Sequence, residues 1–158
     1  MTITVSDDVT QLNVPLIHRF LSEESTWARD IPLSTVEKAI GHSLCFGAYE
    51  NGVQVGFARV VTDWATYGYL CDVFTVNSHR GQGISRRLLD AVLAHPDLQK
   101  LRRFTLASTT AQGLYEKYGW ASLAKPEIHM ERYFPDIYQI AGATQESQHH
   151  GTNNAHFP

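Results

Sequence analysis

Basic runs, long apolar stretches and cysteine are all scarce in this sequence of 158 residues. Lys and Arg number 13 against 16 Asp and Glu, for a formal net charge of −3. No cluster of cations supplies the electrostatic footprint that nucleic acid requires, so nucleic acid is not an expected partner. No window approaches the roughly 20 apolar residues of a membrane-spanning helix. The N-terminus carries no apolar stretch of the signal-peptide kind, and the expectation is a cytoplasmic protein without membrane association. The two cysteines, Cys45 and Cys71, both fall in predicted buried strands. They read as reduced packing residues, not as a disulfide or a metal pair. No internal repeat and no second domain are visible. What is present is 43% hydrophobic content, enough for one domain with a proper core. Beyond Ile140 the chain reads AGATQESQHHGTNNAHFP. Its low apolar content predicts a disordered tail over 141–158 following a domain over 1–140. His149, His150 and His156 are spaced too loosely there to predict a metal site.

Along the chain, Thr2–Val5 alternates weakly as a first strand. Asn13 caps a helix whose apolar face is Val14, Ile17, Phe20 and Leu21, with Pro15 in the tolerated first turn. Ser34 and Glu37 read as a capping box opening a second helix that ends near Gly41. Leu44–Tyr49 and Val53–Thr62 bracket Glu50-Asn51-Gly52, the strongest hairpin signal in the chain. Tyr67–Val76 is nearly all apolar and predicts a strand buried on both faces. A helix follows over Gly83–Ala94, stopped by Pro96, with Ile84, Leu88, Leu89, Val92 and Leu93 inward. Then come a strand over Arg103–Ala107, a helix over Thr110–Tyr118, and two short strands near Ala121–Leu123 and Ile128–Tyr133.

The chemistry concentrates in Val73–Leu89, VFTVNSHRGQGISRRLL. A β-branched and aromatic run passes through a glycine-containing loop straight into an amphipathic helix. Gly81 and Gly83 permit a tight turn and close approach to a ligand. Free N–H groups and the positive end of the helix dipole converge there, which suits a phosphate or pyrophosphate, and Arg80 adds a fixed positive charge. About thirty residues on stands ASTTAQGLYEKYGW over 107–120. Ala111, Leu114, Tyr115 and Tyr118 share one helix face, Thr109 or Thr110 can cap its start, and Gly119 marks its end.

The pair of segments resembles the two cofactor motifs of the GNAT superfamily of N-acetyltransferases, and the match runs over roughly residues 1–135. Arg80, Gly81, Gln82, Gly83, Ile84 and Ser85 correspond to its acyl-CoA loop, with Ser85 where Gly or Ala is usual. Leu114, Tyr115, Gly119 and Trp120 correspond to its second motif. The resemblance implies an α/β (α+β) GNAT fold: a central, mixed, mostly antiparallel twisted sheet flanked by helices, with splayed parallel strands at the acyl-CoA site. It implies acetyl-CoA as co-substrate, no metal, and direct transfer to the amine of a small molecule in a ternary complex. Val73, Phe74 and Thr75 would pair with the pantetheine arm through their backbone, and an N–H near Val73 or Phe74 would face the oxyanion. Ser108 stands where many relatives contact pantetheine with Asn. Tyr115 would be the acid that protonates the departing thiolate; a phenol, protonated at neutral pH, suits that task. Dimers are common in the superfamily, which leaves a homodimer open.

The acceptor side is less legible. Asp72, beside the expected oxyanion donor, reads either as general base or as a structural acid bonded to Arg59, with His42 and His129 as other bases. Tyr67 and Tyr69 share its strand and would line the acceptor cleft, and Cys71 lies near. Trp27, in the connection that covers the acceptor site in the superfamily, reads either as a stacking surface or as a core anchor. Two rivals share the fold: a CoA-binding sensor without transfer, and non-acyl chemistry of a lyase or decarboxylase type.

Overall fold

A computed structural model describes residues 2–139, so the predicted tail over 141–158 and its histidines lie outside the described residues. Five strands form one sheet in the order β1-β2-β3-β4-β5: β1 (Ile3–Ser6), β2 (Leu44–Glu50), β3 (Val53–Thr62), β4 (Tyr67–Thr75) and β5 (Arg103–Leu106). The first three pairings are antiparallel and β4–β5 is parallel. The β2–β3 hairpin closes through Asn51 and Gly52, both at positive φ (52° and 80°), as the Asn-Gly sequence requires. The parallel step is bridged by α3 (Ile84–Ala94), which buries Ile84, Leu88, Leu89 and Val92 against Phe46, Ala48, Ala58, Val60 and Leu70 of the sheet. Leu93 is only half-buried. The helix ends before Pro96, whose ring drives His95 out of helical geometry.

The chain divides into two compact units, 1–14 with 37–120 and 15–36 with the segment from 121 onward. The first contains the whole sheet, α3, and α4 (Gln112–Glu116). In the second, α1 (Val14–Arg19) runs into a single π-turn over Phe20–Glu24, and Ile17, Phe20 and Leu21 are buried as their spacing predicts.

Several expectations are corrected. No strand occurs among the described residues after β5; Ala121–Leu123 and Ile128–Tyr133 are unpaired and exposed, with one 3-10 turn at Pro126–Ile128. Alternation makes a strand only where an edge accepts it, and on β5 the Phe104 carbonyl already takes the Trp120 indole N–H at 2.9 Å. The second helix, α2 (Leu33–Gly41), begins before Ser34, with the Pro32 carbonyl accepting from Thr35 and Val36, so Ser34 lies inside its first turn. Helix α4 is shorter than predicted, and neither Thr109 nor Thr110 caps it. Ala111 is its N-cap, and Ser108 Oγ accepts from the Ala111 N–H at 2.9 Å. Strand β4 is not buried on both faces: Gly68 and Leu70 are buried, while Tyr67 and Tyr69 on the opposite face are exposed.

Candidate active site

Strands β4 and β5 run parallel in register from Tyr67↔Arg103 to Leu70↔Leu106, and there β5 ends. From Cys71 to Thr75, β4 continues with a strand partner on the β3 side alone. Its other edge meets no strand among the described residues beyond Leu70. Along the paired edge, β3 advances two residues from Arg59 to Phe57 while β4 advances three from Cys71 to Phe74. The extra residue is a β-bulge at Asp72-Val73, and Asp72 sits at φ 55°. Bulges re-aim the backbone, and this one lies beside the open edge. It also turns Phe74 to the face opposite Leu70, where its ring meets Phe57 with centroids 5.8 Å apart. Phe74 and Ile84 are buried, so what they can offer a ligand is backbone.

The bulge is held by an ion pair. Arg59 Nε donates to Asp72 Oδ2 at 2.8 Å, and Arg59 Nη1 donates to Ser43 Oγ at 3.0 Å. The two side chains are 18% and 10% exposed, respectively. Of the two readings of Asp72, this geometry supports the structural one. Cys45 and Cys71 both stand opposite Arg59, one on each neighbouring strand. They are thus two strand spacings apart, about 10 Å, beyond disulfide reach, and both are free thiols. Burial pushes each thiol up to about 12, which leaves Cys71 a poor nucleophile.

After β4 the chain makes a 3-10 turn at Asn77–His79, then runs through exposed Arg80, Gly81, Gln82 and Gly83 into α3. Gly81 and Gly83 lie at φ 78° and 80°, with Gly83 the N-cap of α3 and no side chain capping it. Left-handed glycines alternating with other residues are the pattern of an anion-binding nest, here at a helix N-terminus. The first turn of α3 lies so close to β3 that a Cβ on Gly56 would come within 2.9 Å of Ile84 Cγ2. Thr75 Oγ1 and Ser85 Oγ are 3.3 Å apart, so the serine in the unusual loop position is tied to the end of β4. Sequence reasoning missed a second tie. His79 Nε2 lies 2.7 Å from Glu50 Oε1 and its Nδ1 2.8 Å from Ser78 Oγ. Only a contact between residues 29 apart reveals it.

Because β4 and β5 are parallel, the loops leading to α3 and α4 emerge at the same end of the sheet, where ligands of such sheets bind. Tyr115 comes from α4, packs against the main core, and meets the Trp120 ring edge-on with centroids 5.9 Å apart. Burial raises its phenol above the ordinary value, so it holds its proton at neutral pH. Gly119, at φ 100°, closes the turn that follows. Tyr67 Oη lies 2.6 Å from Thr105 Oγ1, and Tyr67 and Tyr69 are 43% and 36% exposed. Trp27 belongs to the second unit and is 54% exposed.

Residues 6–132 match the family described as an acetyltransferase (GNAT) domain. The chain belongs to the GNAT acetyltransferase family. A Xanthomonas campestris crystal structure described as a GNAT-family acetyltransferase is 54% identical. It covers 87% of this chain and 97% of its own, with a TM-score of 0.86. A Gibberella zeae protein named as an acetyltransferase is 34% identical over 136 residues, covering 72% of this chain and 75% of its own. A Staphylococcus aureus protein of unknown function shares the GNAT fold at 18% identity, with a TM-score of 0.64 over 84% of this chain and 98% of its own. The parting of β4 from β5, the glycine loop and the Tyr115 helix all lie within the matched residues 6–132. No helix of the described residues is long and apolar enough to cross a membrane.

Proposed function

We propose that this GNAT protein is an acetyl-CoA-dependent N-acetyltransferase that acylates the amine of a small molecule by direct attack in a ternary complex. The observation that carries this reading is the open, bulged edge of β4 from Cys71 to Thr75, which runs directly into the glycine nest at the start of α3. An extended, amide-containing arm ending in a pyrophosphate matches that edge and nest in sequence and in polarity. Acetyl-CoA, when bound, supplies an activated acyl group on a thiol leaving group.

The residues then divide the work. The N–H groups of Gly81 to Ser85, with Arg80, hold the phosphates. Val73, Phe74 and Thr75 hold the arm through backbone, and an N–H of Val73 or Phe74 at the bulge stabilises the oxyanion, a contribution of about 3 kcal/mol for a preorganised donor. Ser108 accepts the Ala111 N–H, which leaves its own hydroxyl proton for the arm. Tyr115, a phenol raised further by burial, gives its proton to the leaving thiolate. Asp72 and Arg59 set the bulge, while Tyr67 and Tyr69 present aromatic surface to the acceptor. An uncharged aromatic lining favours a small amine over a polyanionic substrate.

The test is thiol release from acetyl-CoA across a library of small amines and amino acids, using wild type and Tyr115→Phe. The proposal expects release with at least one amine class, lost in the variant. Acetyl-CoA binding without release from any amine would favour a sensor instead.

A further inference from the structure

We propose that Glu50 and His79 form a positioning pair for the phosphate-binding loop, an inference that rests on the acyl-CoA reading above. Both ring nitrogens of His79 are engaged, Nε2 with Glu50 Oε1 at 2.7 Å and Nδ1 with Ser78 Oγ at 2.8 Å. Two bonds on opposite sides of one ring fix its orientation. When Ser78 donates to Nδ1, Nε2 carries the proton and donates to Glu50, so the neutral imidazole satisfies both partners. The pair is partly sheltered, its side chains 19% and 26% exposed.

The anchor at the far end is rigid. Glu50 is the last residue of β2, in register with Ile3 on one side and Val53 on the other, immediately before the Asn51-Gly52 turn. The near end is a single 3-10 turn, with the His79 N–H on the Val76 carbonyl at 3.0 Å and the Arg80 N–H on the Asn77 carbonyl at 3.4 Å. Directly beyond it stand Arg80, Gly81, Gln82 and Gly83, all exposed, two of them glycines at positive φ. Such a loop has large conformational freedom when free, and ordering it around an anion costs affinity unless something orders it beforehand. The imidazole fixes the residue before Arg80 to the hairpin and so restricts where the nest begins.

The experiment compares wild type with Glu50→Ala, His79→Ala, Glu50→Gln and His79→Gln, all in the full chain. Acetyl-CoA affinity is measured by calorimetry, KM and kcat by thiol release, and amide exchange over residues 77–83 without ligand. Both alanine variants are expected to raise Kd and KM for acetyl-CoA about tenfold, leave kcat within about twofold, and speed amide exchange in the loop. His79→Gln retains an amide N–H near the Nε2 position and should recover most of the affinity. The double alanine variant should be no worse than either single one, since both remove the same contact. Unchanged loop exchange in the alanine variants would overturn the pair's positioning role, as would a loss confined to kcat. If wild type itself fails to bind acetyl-CoA, the acyl-CoA reading falls, and the exchange data still decide whether the pair orders the loop. Should an alanine variant fail to fold, the glutamine variants carry the test, and Glu50→Gln, which keeps an acceptor, should retain slow exchange.

Discussion

Tyr115 is a phenol that burial raises further above neutral pH, at the next-to-last position of α4. Removing its hydroxyl deletes one proton without disturbing the ring packing on Trp120. Tyr115→Phe is expected to lower kcat about 10²-fold with acetyl-CoA affinity unchanged, measured by thiol release and calorimetry. Equal turnover would remove the residue from the acid role. At Asp72, asparagine tolerates the positive φ as well as aspartate does, so Asp72→Asn isolates the charge. Loss of half the pair with Arg59 should cost about 2 kcal/mol in a denaturant titration, and the rising limb of the pH–rate profile should stay where it is. A limb that vanishes would return Asp72 to the role of base. Tyr49 offers a stability test away from the site. Its buried hydroxyl has no hydrogen-bond partner among the described residues. Tyr49→Phe should therefore be neutral or stabilising by about 1 kcal/mol, whereas a marked loss would mean the hydroxyl is satisfied.

At the scale of elements, the nest and the helix it opens are one device. Gly83 sits at φ 80° with open space around a hypothetical Cβ, so a side chain there meets backbone strain instead of a clash. Gly83→Val should cost about 1–2 kcal/mol of stability and weaken acetyl-CoA binding by disordering the N–H groups that face the pyrophosphate. The Asn51-Gly52 hairpin, the α3 stripe and the loop glycines were legible because each is encoded within a few neighbouring residues. The bulge at Asp72-Val73 was not, because it exists only as a difference of one residue between two strands. The Glu50–His79 tie was hidden because it joins residues 29 apart in sequence. The apolar character of β4 suggested burial on both faces, yet the sheet leaves Tyr67 and Tyr69 uncovered. The strand expected over Ile128–Tyr133 does not form, and the Ile128 and Met130 side chains are exposed, at 63% and 96%.

For the molecule as a whole, the consequence of burying thiols and phenols is an alkaline limit. Cys45 and Cys71 are raised from 9.0 to about 12 in the folded chain, and burial raises Tyr115, Tyr49 and Tyr69 as well. A raised folded value means that the native state holds protons which the unfolded chain has already released. The stability from these groups is complete below the unfolded value and is lost as pH climbs from about 9 to about 12. The denaturant midpoint should fall steadily over that window, and Cys71→Ser should flatten the fall. A midpoint independent of pH there would contradict the shielding of buried Cys45 and part-buried Cys71.

The acyl-CoA reading stands or falls on whether the open β4 edge and the glycine nest bind what they are shaped for. Calorimetric titration of acetyl-CoA into the full chain at neutral pH, alongside Gly83→Val, decides it. Saturable one-site binding by wild type, weakened about tenfold or more in the variant, is the expected result. Absence of binding by wild type, or equal affinity in the two proteins, would contradict it.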